Sequence, residues 1–142
     1  MKSKSGYDLR TFALGAVFAG ICLLIAGGAL AVDIGDPSYS QVFLYEDINY
    51  GGANMSFQFD YDVPDLTRWR VLNSSKSWND RISSVKLGRN VKIILYEHIN
   101  YKGASITLQA DGNNQKNYSN LHSYGWGDKA SSFQVRMCDN PQ

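Results

Sequence analysis

Two short stretches of the sequence place acid, amide and hydroxyl groups at matched positions. The first, WNDRISS, covers residues 78–84, and the second, WGDKASS, covers residues 126–132. In the first stretch, Asn79, Asp80 and Ser83 offer amide, carboxylate and hydroxyl oxygens close together in the chain. Hard oxygens from side chains and backbone are what Ca²⁺ binds, with about six to eight ligands. One such loop supplies too few ligands, whereas two loops brought together could complete a calcium site.

These polar residues also have a purely structural explanation. Serine and aspartate side chains commonly hydrogen-bond to backbone groups of their own turn and so cap it. For a single loop, capping would be the simpler explanation. Because the tryptophan, the aspartate and the two serines recur in the second stretch at the same relative positions, the sequence favours a shared cation site over capping alone.

A second pair of repeats must position these loops. Residues 44–53 read LYEDINYGGA, and residues 95–104 read LYEHINYKGA. Both contain Tyr-x-x-x-x-Tyr-x-Gly, in which asparagine and glycine tolerate positive φ angles. We expect each repeat to bend sharply at the end of a strand, with its two tyrosine rings packed against each other. This motif indicates a fold and no catalysis.

The remaining sequence predicts strands throughout. In NMSFQF, residues 54–59, the alternation places Met55, Phe57 and Phe59 on one face, and SITLQA at residues 105–110 alternates in the same way. QVFLY, ISSVKL, VKIILY and SSFQVR indicate further short strands. Many short strands broken by Gly, Asn and Asp turns predict an all-β antiparallel sandwich.

The repeats divide the domain into two units, residues 41–88 and residues 91–137. The tyrosine motifs begin at Tyr45 and Tyr96, and the tryptophan motifs begin at Trp78 and Trp126, so the first unit is longer in its middle. Those middles, residues 60–77 and 111–125, are predicted to be polar loops. Two units are too few for a solenoid, so we expect a pseudo-twofold pair of four-stranded motifs that share one core.

The N-terminal segment, residues 1–31, is predicted to be a secretory signal peptide or a membrane anchor. A basic start precedes an uncharged run from residue 11 to residue 32, which holds an Ala-Leu-Ala triplet near its end. The run is long enough to span a bilayer, but the triplet is typical of a cleavage site. We therefore favour a cleaved signal over an anchor that tethers the protein to a membrane. A linker at residues 32–40 and the domain at residues 41–137 follow.

The charge of the chain argues against nucleic-acid binding, and its cysteine content argues against an internal disulfide. The predicted signal or anchor holds Lys2, Lys4, Arg10 and Asp8, which leaves the rest of the chain with one more acidic than basic residue. Nucleic-acid binding needs clustered cations, so we expect no nucleic-acid partner. After Cys22, the sequence holds a single further cysteine, Cys138. The domain therefore cannot form an internal disulfide and must rely on a packed core, alone or with a metal.

No arrangement typical of catalysis is present in the sequence. His98 and His122 are the only histidines, and they lack zinc-site spacing. The sequence contains no Gly-x-Ser-x-Gly motif and no glycine-rich phosphate loop. Asp60, Asp62 and Asp65 could form a glycosidase pair in principle, but a small sandwich has little room for the cleft. We therefore predict that the protein is not an enzyme.

The two motifs together resemble the βγ-crystallin Greek key pattern, in which the Tyr-x-x-x-x-Tyr-x-Gly bend precedes an Asn/Asp-Asn/Asp-x-x-Ser/Thr-Ser loop. Their double occurrence over residues 41–136 is similar to a complete domain of the microbial calcium-binding branch of that superfamily. The resemblance implies a sandwich of two four-stranded Greek key sheets. It also implies two Ca²⁺ ions near one end, each held jointly by both loops.

The ligands that the resemblance implies fall into two groups. Side-chain oxygens are implied for Asn79, Asp80, Ser83, Asp128 and Ser131. Backbone carbonyls are implied for Glu46, Arg81, Glu97 and Lys129. Ser84 and Ser132 are expected to brace the loops and not to bind metal.

Gly127 departs from this pattern. It stands where the second loop should carry its first Asn or Asp, and it has no side-chain oxygen. We therefore predict two unequal calcium sites, of which the one that relies on the Gly127 loop is weaker. The expected affinity is micromolar or weaker, as in extracellular calcium modules.

The predicted function is a non-enzymatic, secreted or extracytoplasmic calcium-binding domain whose ions stabilise the fold. Two other classes stay open. Related small sandwiches include protease inhibitors and toxins, and such a protein would insert residues 60–77 into a partner's cleft. A glycan-binding module would instead use Trp69 and Tyr61 as an exposed aromatic platform. The identity of any protein or glycan partner is left open.

Overall fold

The computed structural model describes Pro37 and residues 39–138. The predicted signal or anchor at residues 1–31 and most of the linker lie outside the described residues. Within the described part, no helix has the length and apolar character needed to cross a membrane. The end of the linker packs on the domain, because the Ser40 amide donates to the Arg89 carbonyl at 2.9 Å and Gln115 Nε2 donates to the Pro37 carbonyl at 2.8 Å.

The chain forms short strands joined by turns of 3₁₀ helix. The strands are β1 (Gln41–Tyr45), β2 (Asn54–Gln58), β3 (Asp62–Val63), β4 (Ser84–Leu87), β5 (Val91–His98), β6 (Lys102–Gln109), β7 (Lys116–Tyr118) and β8 (Ser132–Met137). The 3₁₀ turns are Ile48–Tyr50, Leu66–Arg68, Ile99–Tyr101 and Leu121–Tyr124. The two units therefore have the same order of elements, as the repeats predict.

The strands form two four-stranded antiparallel sheets in which each unit lends its third strand to the other. The first sheet has the order β2-β1-β4-β7 and the second β3-β8-β5-β6. Strand β3 pairs with β8 through Val63 and Phe133, and β7 pairs with β4 through Tyr118 and Val85. The predicted all-β sandwich of two four-stranded Greek key motifs is thus confirmed, and the exchange of β3 and β7 places the loops before β4 and β8 side by side.

One apolar core lies between the two sheets. Phe133 is fully buried, and its ring centroid lies 4.9 Å from that of Phe57. The alternation predicted for β2 is correct for Met55 and Phe57, which are buried. It is wrong for Phe59, which is 48% exposed because β2 ends at Gln58 and the chain turns away before Phe59.

The bend after each first strand has the geometry that the tyrosine motif predicts. The rings of Tyr45 and Tyr50 are T-shaped with centroids 5.6 Å apart, and the equivalent pair in the second unit is 5.7 Å apart. Asn49 has φ 56° and Gly52 has φ 71°. A Cβ added to Gly52 would lie 2.7 Å from an Asp47 carboxylate oxygen, so glycine is required there.

A buried serine braces each bend from the start of the unit's fourth strand. Ser84 Oγ donates to the Asp47 carbonyl at 2.6 Å and accepts from the Tyr50 amide at 3.0 Å. Ser132 makes the same two bonds, to the His98 carbonyl and from the Tyr101 amide, at 2.6 and 3.0 Å.

Residues 60–77 are more ordered than the prediction of a polar loop suggests. They contain β3 and a 3₁₀ turn, and Val63, Leu66 and Val71 are buried in the core. The Trp69 ring contacts the rings of Phe57 and Tyr61, with centroids 5.4 and 6.3 Å apart. Trp69 and Tyr61 are therefore partly buried, and part of each ring packs against the core.

Candidate metal centre

The two acidic loops lie side by side at one end of the sandwich. The Asp80 amide donates to the Ala130 carbonyl at 3.0 Å, and the Asp128 amide donates to the Ile82 carbonyl at 3.2 Å. Each loop thus hydrogen-bonds to the other about the pseudo-twofold axis. This pairing brings the predicted site residues of both units together.

A first candidate site combines a hydroxyl from one loop with a carboxylate from the other. Ser83 Oγ donates to Asp128 Oδ1 at 2.7 Å. Both residues line a surface pocket together with Glu46 and Arg81. Since the Ser83 amide donates to the Tyr45 carbonyl at 3.0 Å, the serine is fixed beside the residue that precedes Glu46.

A second candidate site is related to the first by the pseudo-twofold axis. Here Asp80 of the first loop is hydrogen-bonded to Ser131 of the second. The Ser131 amide donates to the Tyr96 carbonyl at 2.9 Å, which fixes this serine beside the residue that precedes Glu97. A shift in register between Tyr96 and His98 takes Glu97 out of its pairing with β6. Lys129 belongs to the same loop as Ser131.

An arginine neutralises one predicted site residue. Arg81 Nη1 lies 2.7 Å from Glu46 Oε1, and both side chains are largely shielded from solvent. The Glu46 carboxylate is therefore already paired with a cation. The Glu46 group that could bind a metal is then its backbone carbonyl, which is also the group that the resemblance implies. The sequence pattern does not indicate this pair, because the two residues are 35 positions apart.

Negative charge accumulates between the two loops. Burial raises the pKa of the Asp80 carboxyl above its ordinary value, and repulsion from Asp128 and Glu97 adds to the effect. Hydrogen bonds from Ser131 and Asn79 offset part of this rise. A bound cation would reverse it, because opposite charge nearby favours the ionised carboxylate.

Asn79 carries a buried oxygen that has no donor. Its Nδ2 donates to Asp80 Oδ2 at 2.7 Å. Among the described residues, Asn79 Oδ1 is the buried side-chain polar atom that lacks a hydrogen-bond partner. A buried acceptor without a partner costs about 1 to 3 kcal/mol. A cation or a water molecule bound by the loops would satisfy it, so the donor set fits a hard cation.

Carboxylates and imidazoles alone do not form a metal site here. Within Pro37 and residues 39–138, no three His, Cys, Asp or Glu side chains converge closely enough to hold an ion. Calcium in these loops would therefore need serine hydroxyls and backbone carbonyls as well, which is the mixed oxygen set that Ca²⁺ accepts.

His122, whose position in the sequence lacks zinc-site spacing, is a neighbour of the first site. Its Nε2 lies 3.3 Å from Ser83 Oγ and 3.7 Å from Asp128 Oδ2. The ring lies against Gly127, where an added Cβ would be 2.3 Å from the imidazole Cγ. The absence of a side chain at Gly127 was the available sequence signal for this contact.

Comparison with known proteins agrees with this architecture. The sequence model of the Beta/Gamma crystallin family matches residues 41–135. Spherulin-3A of Physarum polycephalum is 32% identical over 75 residues, which is 53% of this chain and 65% of that relative. The match thus spans slightly less than two thirds of the relative's length.

Solved structures give the same result for the whole domain. A βγ-crystallin domain from Flavobacterium johnsoniae superposes with a TM-score of 0.53 at 31% identity, over 70% of this chain and 98% of that chain. The solution structure of spherulin 3a from Physarum polycephalum gives a TM-score of 0.53 at 26% identity, over 75% and 92% of the two chains. On its repeats, its topology and these matches, the chain belongs to the βγ-crystallin family.

Proposed function

We propose that this protein is a non-enzymatic, calcium-binding βγ-crystallin domain with two unequal sites. The observation that carries the proposal is the crossed pairing of the loops, in which Ser83 meets Asp128 and Asp80 meets Ser131. Each pair takes one hydroxyl and one carboxylate from opposite units. The residues assigned to the two sites are Glu46, Asn79, Asp80, Arg81, Ser83, Glu97, Asp128, Lys129 and Ser131.

Electrostatics supports a cation at this place. Asp80 is repelled by Asp128 and Glu97, and Asn79 Oδ1 is buried without a donor. A hard divalent cation would offset the repulsion on Asp80 and give the Asn79 oxygen a partner. Serine hydroxyls, carboxylates and backbone carbonyls are oxygen ligands, which suit Ca²⁺ better than a metal that prefers sulfur or nitrogen.

Calcium binding would be coupled to folding. The oxygens come from both units and meet only when β3 and β7 have exchanged between the sheets. An ion that binds the folded chain alone stabilises it by about 2.7 kcal/mol at a hundredfold excess over Kd. Calcium would therefore act here as a structural ligand and not as a catalytic one.

An extracytoplasmic location fits both the N-terminal segment and the expected calcium affinity. The basic start and the uncharged run of residues 11–32 support export or tethering to a membrane. Micromolar or weaker sites are filled where calcium is abundant, as it is outside cells. The relatives matched are βγ-crystallin and spherulin proteins, which supports a non-enzymatic role.

Thermal unfolding with calcium and with chelator tests the proposal. Calcium should raise the melting temperature of the protein, and Asp80→Ala and Ser83→Ala should each reduce that rise. Asp111→Ala is the matched control, because Asp111 is exposed in a turn at the start of the β6–β7 connection. A melting temperature unchanged by millimolar calcium would refute the proposal.

A further inference from the structure

The two candidate sites differ in one neighbouring side chain. In the 3₁₀ turn beside the first site, Asn120 Oδ1 accepts from the His122 amide at 2.9 Å. In the equivalent turn of the first unit, Asp65 Oδ1 accepts from the Thr67 amide at 3.0 Å. His122 and Thr67 therefore hold matching positions in the two units. The Leu121 amide donates to the Ser83 carbonyl, and the Leu66 amide donates to the Ser131 carbonyl. Thr67 therefore corresponds at the second site to His122 at the first.

Gly127 provides the room for that imidazole. A Cβ on Gly127 would lie 2.3 Å from both Cγ and Nδ1 of His122, which is far inside van der Waals contact. The first unit has Asn79 at the position that corresponds to Gly127. The glycine and the histidine thus occur together in one unit, and asparagine and threonine in the other.

The imidazole contacts the same oxygens that a cation would need. His122 Nε2 is 3.3 Å from Ser83 Oγ and 3.7 Å from Asp128 Oδ2. Ser83 has a relative exposure of only 3%, so its hydroxyl can be approached from few directions. An imidazole nitrogen is a poor substitute for a hard oxygen ligand of Ca²⁺. A calcium ion bound to both Ser83 and Asp128 would require the ring to move.

We propose that His122 sets the cation affinity of the first site by competing with Ca²⁺ for Ser83 and Asp128, and that Gly127 permits this competition. This inference rests on the proposed function and changes the explanation of the unequal sites. The first site is weaker because an imidazole covers its ligands, and not because Gly127 lacks an oxygen. His122 is thus a residue that determines affinity, and it is not itself a ligand of calcium.

Calorimetric calcium titration of three variants tests this inference at one fixed pH. His122→Thr copies the other unit, and it should tighten the weaker site about fivefold, which is the effect of removing one competing hydrogen bond. Gly127→Ala should give a similar gain, because its methyl group displaces the ring. The double variant should show no further gain. The second site serves as the internal control and should keep its affinity in all three.

A spectroscopic measurement separates competition from a merely structural role. Calcium should shift the ring resonances of His122 in the wild-type protein, and the His98 ring is the reference within the same chain. If calcium binds at two sites but His122→Thr leaves both affinities unchanged, the inference is wrong while the proposed function stands. If neither the wild type nor His122→Thr binds calcium, both are wrong. Melting curves in chelator verify that each variant is folded.

Discussion

Asp80 and Asp128 have the same backbone conformation, with φ of 54° at both, and each donates its amide to a carbonyl of the other's loop. These backbone hydrogen bonds therefore keep the two aspartates close to each other although their carboxylates repel. The pKa of Asp80 is raised partly by this neighbour. This repulsion opposes folding while both carboxylates are ionised, and under the proposed function a bound cation would offset it.

Neutralising Asp80 should have opposite effects in chelator and in calcium. Asp80→Asn removes the repulsion from Asp128 and Glu97 and should stabilise the chelated protein. The gain should be only about 0.3 kcal/mol, because Asp80 is exposed apart from the buried portion of its carboxyl group and solvent screens the repulsion. The same change removes a proposed carboxylate ligand, so it should reduce any stabilisation that calcium provides. Urea unfolding under both conditions measures the two effects. Asp111→Asn should change neither, and a loss of stability in chelator would contradict the argument.

The Asp62–Arg136 pair should make stability depend on pH in the acid range. Arg136 forms two hydrogen bonds to the Asp62 carboxylate and lowers its pKa. Since the folded pKa lies below the ordinary value of 3.8, the pair stabilises the fold above that pH. This contribution is lost as pH falls through the folded pKa.

Asp62→Asn should therefore weaken the pH dependence. Because the pair is partly exposed, the loss at neutral pH should be less than about 1 kcal/mol. Urea unfolding in chelator at pH 7 and below pH 3 measures it. If the variant and the wild type differ equally at both pH values, the ion pair is not the cause.

The bracing serines should be equally important in the two units. Ser84 and Ser132 are fully buried, and each joins a carbonyl and an amide of its bend. Ser84→Ala or Ser132→Ala would leave those backbone groups unsatisfied and should cost about 1 to 3 kcal/mol. Chemical unfolding in chelator measures the loss. Ser105→Ala, at an exposed position of β6, is the control and should be nearly neutral.

Replacement of Phe133 and replacement of Phe59 should have very different effects on the free energy of unfolding. Phe133 is fully buried beside Phe57, and Phe133→Ala should cost about 3 to 5 kcal/mol through lost burial and a cavity. Phe59 is 48% exposed, and Phe59→Ala should change the unfolding free energy by less than about 0.5 kcal/mol. Equal losses in denaturant unfolding would mean that Phe59 belongs to the core.

The repeats in the sequence predicted most of the fold. Tyrosine, asparagine and glycine at fixed spacing demand a particular bend, and the rings of Tyr45 and Tyr50 pack as that spacing requires. Two copies in the same order predicted two similar units with a common core. These predictions were correct because they depend on local geometry, which short-range sequence patterns specify.

Sequence patterns did not predict where strands end or which distant residues come into contact. Alternation predicted a buried Phe59, but the strand ends one residue earlier, and periodicity cannot say where a strand stops. The polar composition of residues 60–77 hid β3 and the buried Leu66. The contact between His122 and Ser83 joins residues 39 positions apart, and it depends on the space left by Gly127.

The exchange of β3 and β7 between the sheets limits how this protein can be divided. Residues 41–88 contain β3, which pairs with β8, and residues 91–137 contain β7, which pairs with β4. Either half alone would leave unpaired strand edges, which promote aggregation. The duplicated sequence therefore encodes one indivisible folding unit, and a chain cut between β4 and β5 would regain its shape only if both fragments reassociated.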